Sequence, residues 1–196
     1  MSNIVDPLVE RIAVRVRTER ERRGWTLNGL AEASGVSRAM IHRIERGESS
    51  PTAVVLGKLS AAFRLSVSSL LALAEGEPQG PDGAGAVRRH DEASEWRDPD
   101  TGYRRRQITG PRFPVETAEI RLPAGARVSY PAASFAFARQ VVWVLDGRLT
   151  FHEGATVHDL GAGDTVELGE PAPCTFANDG DAECRYVVIR AQADRP

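Results

Sequence analysis

The segment TLNGLAEASGVSRAMIHRIERG, residues 26–47, decides the fold because it predicts two short helices joined by a tight turn. Thr26 can cap the first helix through its side-chain oxygen. Gly35 can adopt, without steric cost, the positive φ at which many helices end. Ser37 then stands where a second N-cap is needed, so the segment predicts a helix-turn-helix unit.

One face of the second helix is predicted to be buried and the other exposed, because Ile41 and Ile44 fall at helical spacing. The exposed face carries Arg38, Ala39, His42 and Arg43. The major groove of B-form DNA admits one α-helix, whose N-terminal residues come closest to the base edges. Arginine can bind guanine through two hydrogen bonds, and alanine can touch a thymine methyl group. The pattern therefore predicts a helix that reads DNA.

Residues 30–52, LAEASGVSRAMIHRIERGESSPT, resemble the helix-turn-helix of the phage-repressor-like (Xre/Cro) family. The resemblance implies that Arg20 and Glu45 form a buried ion pair between the first and third helices. It also implies a DNA-binding surface of groove-facing and phosphate-contacting residues. These residues are Thr26, Ser37, Arg38, Ala39, His42, Arg43 and Arg46. The alternative for any single arginine is that it only solvates the helix surface.

Three further helices are predicted around this unit. Apolar residues at helical spacing predict one over 7–23, one after the potential cap Thr52, and one from Val67 to about Leu73. Residues 1–74 are thus interpreted as a five-helix DNA-binding domain. The first 75 residues carry 11 basic and 8 acidic side chains, whereas the remainder carries 14 and 19. This asymmetry favours the N-terminal part as the one that contacts a polyanion.

A linker and an all-β domain are predicted after the helices. Residues 75–85, EGEPQGPDGAG, are rich in Gly and Pro without apolar periodicity, which is typical of a flexible linker. Over residues 86–196, short β-rich runs alternate with Gly-containing turns. A spacing of about 8 to 12 residues between such runs indicates a sandwich or a barrel. Residues 86–90 and 103–109 are expected to add edge strands.

The β-rich half resembles the cupin family of small jelly-roll barrels through VVWVLDGRLTFHEG and VHDLGAGDTVELGEPAPCTFAN. We therefore predict an α + β fold class with two domains, the helix-turn-helix domain followed by a cupin-type antiparallel β-barrel. Metal-binding cupins hold their ion through two histidines and a glutamate in the first motif and a histidine in the second. The corresponding positions here carry Gln140, Cys174 and, depending on register, Ala133 with Phe135 or Ser134 with Ala136. Because these side chains do not form a ligand set for a divalent ion, we predict no metal and no cofactor.

Without a metal, the barrel is expected to enclose a partly aromatic cavity that can hold one small effector. The predicted pocket residues are Tyr130, Phe137, Arg139, Gln140, Trp143, Cys174 and Phe176. Further aromatic candidates for its walls are Phe135, Phe151 and Tyr186. The alternative is that most of these aromatic side chains are barrel core, and strand register decides which of them face inward.

Composition points to a cytoplasmic protein. The two cysteines are too few for a disulfide framework, and no run of 18 apolar residues is present. We expect a transcriptional regulator that binds a double-stranded operator as a homodimer, with a β domain that binds an effector or only dimerises. The alternative is an enzyme, since the same domain order resembles a bacterial non-haem iron epoxidase acting on a hydroxyalkylphosphonate. That chemistry needs iron ligands that residues 133–140 lack.

Overall fold

The computed structural model describes residues 7–75, 87, 89–90, 95–110, 113–136 and 138–192. Its helices are α1 (Pro7–Arg22), α2 (Leu27–Ser34), α3 (Arg38–Glu45), α4 (Ala53–Ala62) and α5 (Val67–Glu75). Its strands are β1 (Glu95–Arg97), β2 (Arg104–Gln107), β3 (Val115–Leu122), β4 (Arg127–Tyr130), β5 (Ala138–Asp146), β6 (Arg148–Glu153), β7 (Thr156–Gly161), β8 (Thr165–Glu167), β9 (Cys174–Ala177) and β10 (Cys184–Gln192).

Local capping sets the helix boundaries as predicted. The Thr26 hydroxyl accepts a hydrogen bond from the Gly29 amide at 3.1 Å, and Ser37 does the same for Met40 at 3.2 Å. Gly35 ends α2 with a φ of 65°, which a residue without a Cβ adopts readily. These contacts fix the turn between α2 and α3 within the chain itself.

The strands form two antiparallel sheets that face one another. One sheet has the order β1-β2-β3-β10-β5-β8, and the other has the order β4-β9-β6-β7. Phe176 of the second sheet stacks on Tyr186 of the first with ring centroids 5.6 Å apart, and Phe151 lies 4.8 Å from Phe176. The α + β class with a cupin-type β domain is therefore confirmed, and the interior between the sheets is packed with aromatic rings.

The edge of the larger sheet differs in part from the prediction. The strand expected at 103–109 is β2, which pairs with β3. Its outer neighbour is β1, which we did not predict. In the predicted strand at 86–90, the described residues 87, 89 and 90 are not in a strand. Of the predicted linker, Glu75 is the last residue of α5, and the rest lies outside the described residues.

The two halves pack against each other through α4 and α5, and side chains of the β domain reach both helix N-termini. Asp98, which is 2% exposed, accepts a hydrogen bond from the amide of Ala53 at 2.9 Å, at the first residue of α4. Glu116 of β3 accepts hydrogen bonds from the hydroxyls of Ser66 and Ser69 at the start of α5. A carboxylate at a helix N-terminus is favourable because it meets free amides and the positive end of the helix dipole. These contacts join the helical and β parts electrostatically.

α4 and α5 are also the most apolar of the helices. No single described helix is long and apolar enough to cross a membrane, and α4 with α5 meets that test only as a pair bent by 93°.

Gly57 of α4 allows the closest approach between the two halves. A Cβ at this position would lie 2.5 Å from Cδ1 of Tyr130, whereas one at Gly29 of α2 would meet nothing closer than 3.6 Å. We expect Gly57→Ala to lower the free energy of unfolding by about 1 to 3 kcal/mol, because the Tyr130 ring must move. Gly29→Ala is the matched control and should raise stability by up to about 1 kcal/mol through helix propensity. Chemical denaturation measures both, and equal stabilities would contradict the packing described.

Candidate functional site

The third helix is held at the surface by a buried inner face. Ile41 and Ile44 are 0% and 1% exposed and pack in the helical core. All seven residues predicted to contact DNA are exposed, namely Thr26, Ser37, Arg38, Ala39, His42, Arg43 and Arg46. All seven are therefore accessible to a partner molecule, and their contact with DNA stays a prediction.

An ion pair between α1 and the C-terminal end of α3 fixes the orientation of this helix. Nε and Nη2 of Arg20 donate to the two carboxylate oxygens of Glu45 at 2.7 and 2.9 Å. Nη1 of Arg20 donates to the carbonyl of Trp25 at 2.9 Å. The two side chains are only 13% and 8% exposed, and the hydrogen bond that Arg20 donates to Glu45 raises the pKa of Arg20. This is the contact that the Xre/Cro resemblance implied.

The predicted DNA-contacting side chains have few competing partners within the described residues. Ser37 uses its oxygen to cap α3, while Nη2 of Arg43 lies 3.6 Å from the sulfur of Met40. Nε of Arg46 forms an ion pair with Glu48 at 2.5 Å, with the two side chains 62% and 45% exposed. An ion pair this exposed contributes little stability, so a phosphate group can replace the carboxylate.

Comparison with known proteins places this geometry in a family. Residues 16–70 match the family model HTH_3, described as helix-turn-helix. Residues 16–70 are thus similar to HTH_3 helix-turn-helix domains. The chain is 39% identical over 67 residues to the HTH-type transcriptional regulator SutR of Escherichia coli K12, covering 34% of this chain and 38% of SutR. It is 40% identical over 60 residues to a competence pilus inhibition repressor of Acinetobacter baylyi, covering 31% and 54%. The matches thus span about two fifths and about half of these relatives.

A solved structure is similar over both halves of the chain. The crystal structure of an HTH_3 family transcriptional regulator from Vibrio cholerae superposes with a TM-score of 0.75 at 23% identity. The superposition covers 97% of this chain and 100% of that one. It shows that the order of an HTH_3 domain followed by an antiparallel β domain occurs elsewhere with the same fold.

The β domain contains a cavity beneath α4 and α5, and some of the predicted pocket residues line it. Tyr130, Gln140 and Phe176 are lining residues, as are Phe135 and Tyr186 from the wider aromatic set. Phe151 is fully buried in the core between the sheets, in agreement with the alternative interpretation.

Three of the predicted pocket residues, all of them described, do not line this cavity. Arg139 is exposed and Trp143 is 43% exposed, because strand β5 alternates and its inward positions are Gln140, Val142 and Val144. Their assignment to the pocket is corrected for that reason. Cys174 is buried, but it lies outside the lining. Phe137 lies outside the described residues.

Sequence reasoning missed the two arginines of the cavity. Arg105 comes from β2 and Arg190 from β10, and both line it together with hydroxyl groups of α4 and α5. The run Arg104-Arg105-Arg106 is a visible signal, since a strand must turn its middle residue to the face opposite its neighbours. The strand pairing shows which face of the sheet Arg105 occupies. Arg105 is opposite Ile120, and Ile120 is opposite Tyr186, so all three side chains point to the inner face.

The side chains at the positions that correspond to the metal ligands of metal-binding cupins do not fit a divalent ion. Gln140 faces the interior, where the resemblance placed a glutamate, but its amide carries no charge. The Sγ of Cys174 donates to the carbonyl of Ala172 at 3.3 Å, and burial raises its pKa to about 12. A thiol that stays protonated is a poor metal ligand. Among the described residues, no group of three or more His, Cys, Asp or Glu side chains could hold a metal ion.

Both cysteines are expected to react slowly with thiol reagents in the folded protein. Burial, followed by the charge of Glu153, raises the pKa of Cys174 to about 12. Burial, then Asp146 and Glu183, raises the pKa of Cys184 to about 11. The thiolate is the reactive form, so we expect labelling by a disulfide reagent at mildly alkaline pH to be slow until denaturant is added. Rapid labelling of the folded chain would contradict this.

Proposed function

We propose that the protein is a sequence-specific DNA-binding transcriptional regulator. The observation that carries the proposal is the exposed face of α3, with Arg38, Ala39 and Arg43 outward and Ile41 and Ile44 buried behind them. A helix presented in this way fits the major groove, and its arginines can reach guanine edges. The relatives of the HTH_3 domain, named as a regulator and a repressor, support the same function.

We further propose that the protein acts as a homodimer, with the β domain as the part that dimerises or senses an effector. One short helix contacts few base pairs, and two half-sites about one helical turn apart give a useful specificity. The predicted contact surface consists of Thr26, Ser37, Arg38, Ala39, His42, Arg43 and Arg46. In this arrangement Ser37, Arg38, Ala39 and Arg43 face the bases, while Thr26 and Arg46 contact phosphates.

Selection of bound sequences from a random double-stranded DNA pool tests the proposal. We expect enrichment of one motif with two symmetric half-sites. Light scattering of the complex with that DNA should give the mass of two protein chains per duplex. A single half-site bound by a monomer would overturn the dimer. If circular dichroism shows that the protein is folded and repeated rounds still enrich no sequence, the proposed regulator function is overturned.

A further inference from the structure

The cavity of the β domain lies where the larger sheet meets the helical domain. The inner face of that sheet supplies Arg105, Gln140 and Arg190, and Ser60 and Ser68 of the helices close it. About 50 Å³ is open to the centres of water-sized molecules, which corresponds to roughly three to five water molecules. The cavity is therefore small, lined by polar and apolar side chains, and shared by the two domains.

Arg105 is a buried cation with an unused donor. The residue is 9% exposed, its Nη1 donates to the hydroxyl of Tyr103 at 3.1 Å, and its Nη2 donates to the hydroxyl of Ser68. Its Nε is buried and has no hydrogen-bond partner among the described residues. Burial of a guanidinium costs free energy unless an anion compensates its charge.

Arg190 adds a second positive charge to the same cavity. Its Nη1 donates to the carbonyl of Ser134 at 3.2 Å. Burial lowers its pKa, Glu116 raises it, and the like charge of Arg105 lowers it further. Glu116 stands beside Arg190 in the β3–β10 register, but its carboxylate accepts hydrogen bonds from Ser66 and Ser69 at the N-terminus of α5. The cavity thus has an excess of positive charge.

The other walls are apolar. Leu65 and Val67 of the helical domain and Phe135, Phe176 and Val188 of the β domain line the rest of the space. A ligand that matches both kinds of lining has one small anionic group and a short apolar body. Planar carboxylates suit arginine because its guanidinium can donate two parallel hydrogen bonds to them.

We propose that this cavity is a binding site for a small monocarboxylate, held by Arg105 and Arg190, and that the ligand is the effector of the regulator. The effector role rests on the proposed function, whereas the binding itself does not. Ser66 directly precedes α5, Ser68 lies in its first turn, and Ser60 lies in α4. A ligand between these residues and the sheet therefore couples the β domain to α4, which packs against α2 of the DNA-binding unit.

Calorimetry on the full chain tests the binding step, with acetate and propionate as probes and acetamide and propionamide as neutral controls of the same shape. We expect saturable binding of the carboxylates and none of the amides at constant ionic strength. Arg105→Gln and Arg190→Gln should each weaken binding about tenfold or more, because a charge-assisted contact is lost. Arg139→Gln removes an exposed arginine next to Gln140 and should leave the affinity unchanged.

Several results would overturn the site. The first is equal binding of amide and carboxylate. The second is an unchanged carboxylate affinity in Arg190→Gln, and the third is a loss of affinity in Arg139→Gln as large as that in Arg190→Gln. Binding of inorganic phosphate in place of both carboxylates would overturn the ligand class. If Arg105→Gln does not fold, as judged by circular dichroism, Arg190→Gln alone decides the outcome.

DNA binding by the same samples separates this proposal from the regulator proposal. We expect propionate to change the affinity of the wild-type chain for its selected DNA, and to leave that of Arg190→Gln unchanged. Carboxylate binding without any DNA binding would refute the regulator and the effector role but keep the ligand site. DNA binding without carboxylate binding would refute the ligand site and keep the regulator.

Discussion

Replacing Arg43 with alanine is expected to weaken binding to the selected operator by about 1 to 3 kcal/mol and to relax the preference at one base pair. The reason is that Arg43 lies on the exposed face of α3, where it can donate two hydrogen bonds to a guanine. Arg38, the first residue of α3, should behave in the same way at a different base pair. Fluorescence anisotropy with the operator and with each single-base variant measures both effects.

Two control variants separate base reading from charge. Arg46→Ala should weaken binding to specific and random DNA alike. It should also reduce the slope of log affinity against log salt concentration by the equivalent of about one phosphate contact. Arg148 is an exposed arginine of β6, and Arg148→Ala should change neither affinity. Since Arg43 is exposed, its removal should alter stability by less than about 0.5 kcal/mol. Equal losses of Arg43→Ala on specific and random DNA would show that Arg43 does not read bases.

Glu45→Ala is expected to lower the free energy of unfolding by about 3 kcal/mol, because it leaves the guanidinium of Arg20 largely buried without its carboxylate. Arg20 keeps the carbonyl of Trp25 and a 3.4 Å contact with Glu21, which do not replace two short charge-assisted hydrogen bonds. Urea denaturation followed by circular dichroism measures the loss. Since α3 loses its tie to α1, DNA affinity should fall as well.

Glu21 provides the matched control for this pair. It also contacts Arg20, but its side chain is 52% exposed, so Glu21→Ala should leave the free energy of unfolding almost unchanged. The double variant Arg20→Leu with Glu45→Leu removes both charges and should recover much of the stability lost in Glu45→Ala. Equal stabilities of Glu45→Ala and Glu21→Ala would show that the buried pair does not hold α3 in place.

The helical half was predictable because its determinants are local. Thr26, Ser37 and Thr52 each cap a helix within three residues of their own position, and Gly35 ends α2 by its own backbone freedom. These contacts form between neighbours in the chain, so a sequence pattern contains them completely. The exposed face of α3 follows from the same periodicity.

The cavity of the β domain was only partly predictable because it depends on strand pairing. Tyr130, Gln140 and Phe176 were expected in it and line it, while Arg139 and Trp143 point to the opposite side of β5. A shift of one residue in register reverses the face of a whole strand, and the sequence alone leaves the register uncertain by one residue.

By itself, the sequence determined the five helices, the exposed face of α3 and the succession of short strands, because each depends on residues within one or two turns of each other. The tertiary structure alone decided that Arg105 faces inward beside Arg190, and that Gly57 of α4 admits the ring of Tyr130. Those contacts join residues far apart in the chain, so they exist only once the two sheets have paired and the helices have packed on them.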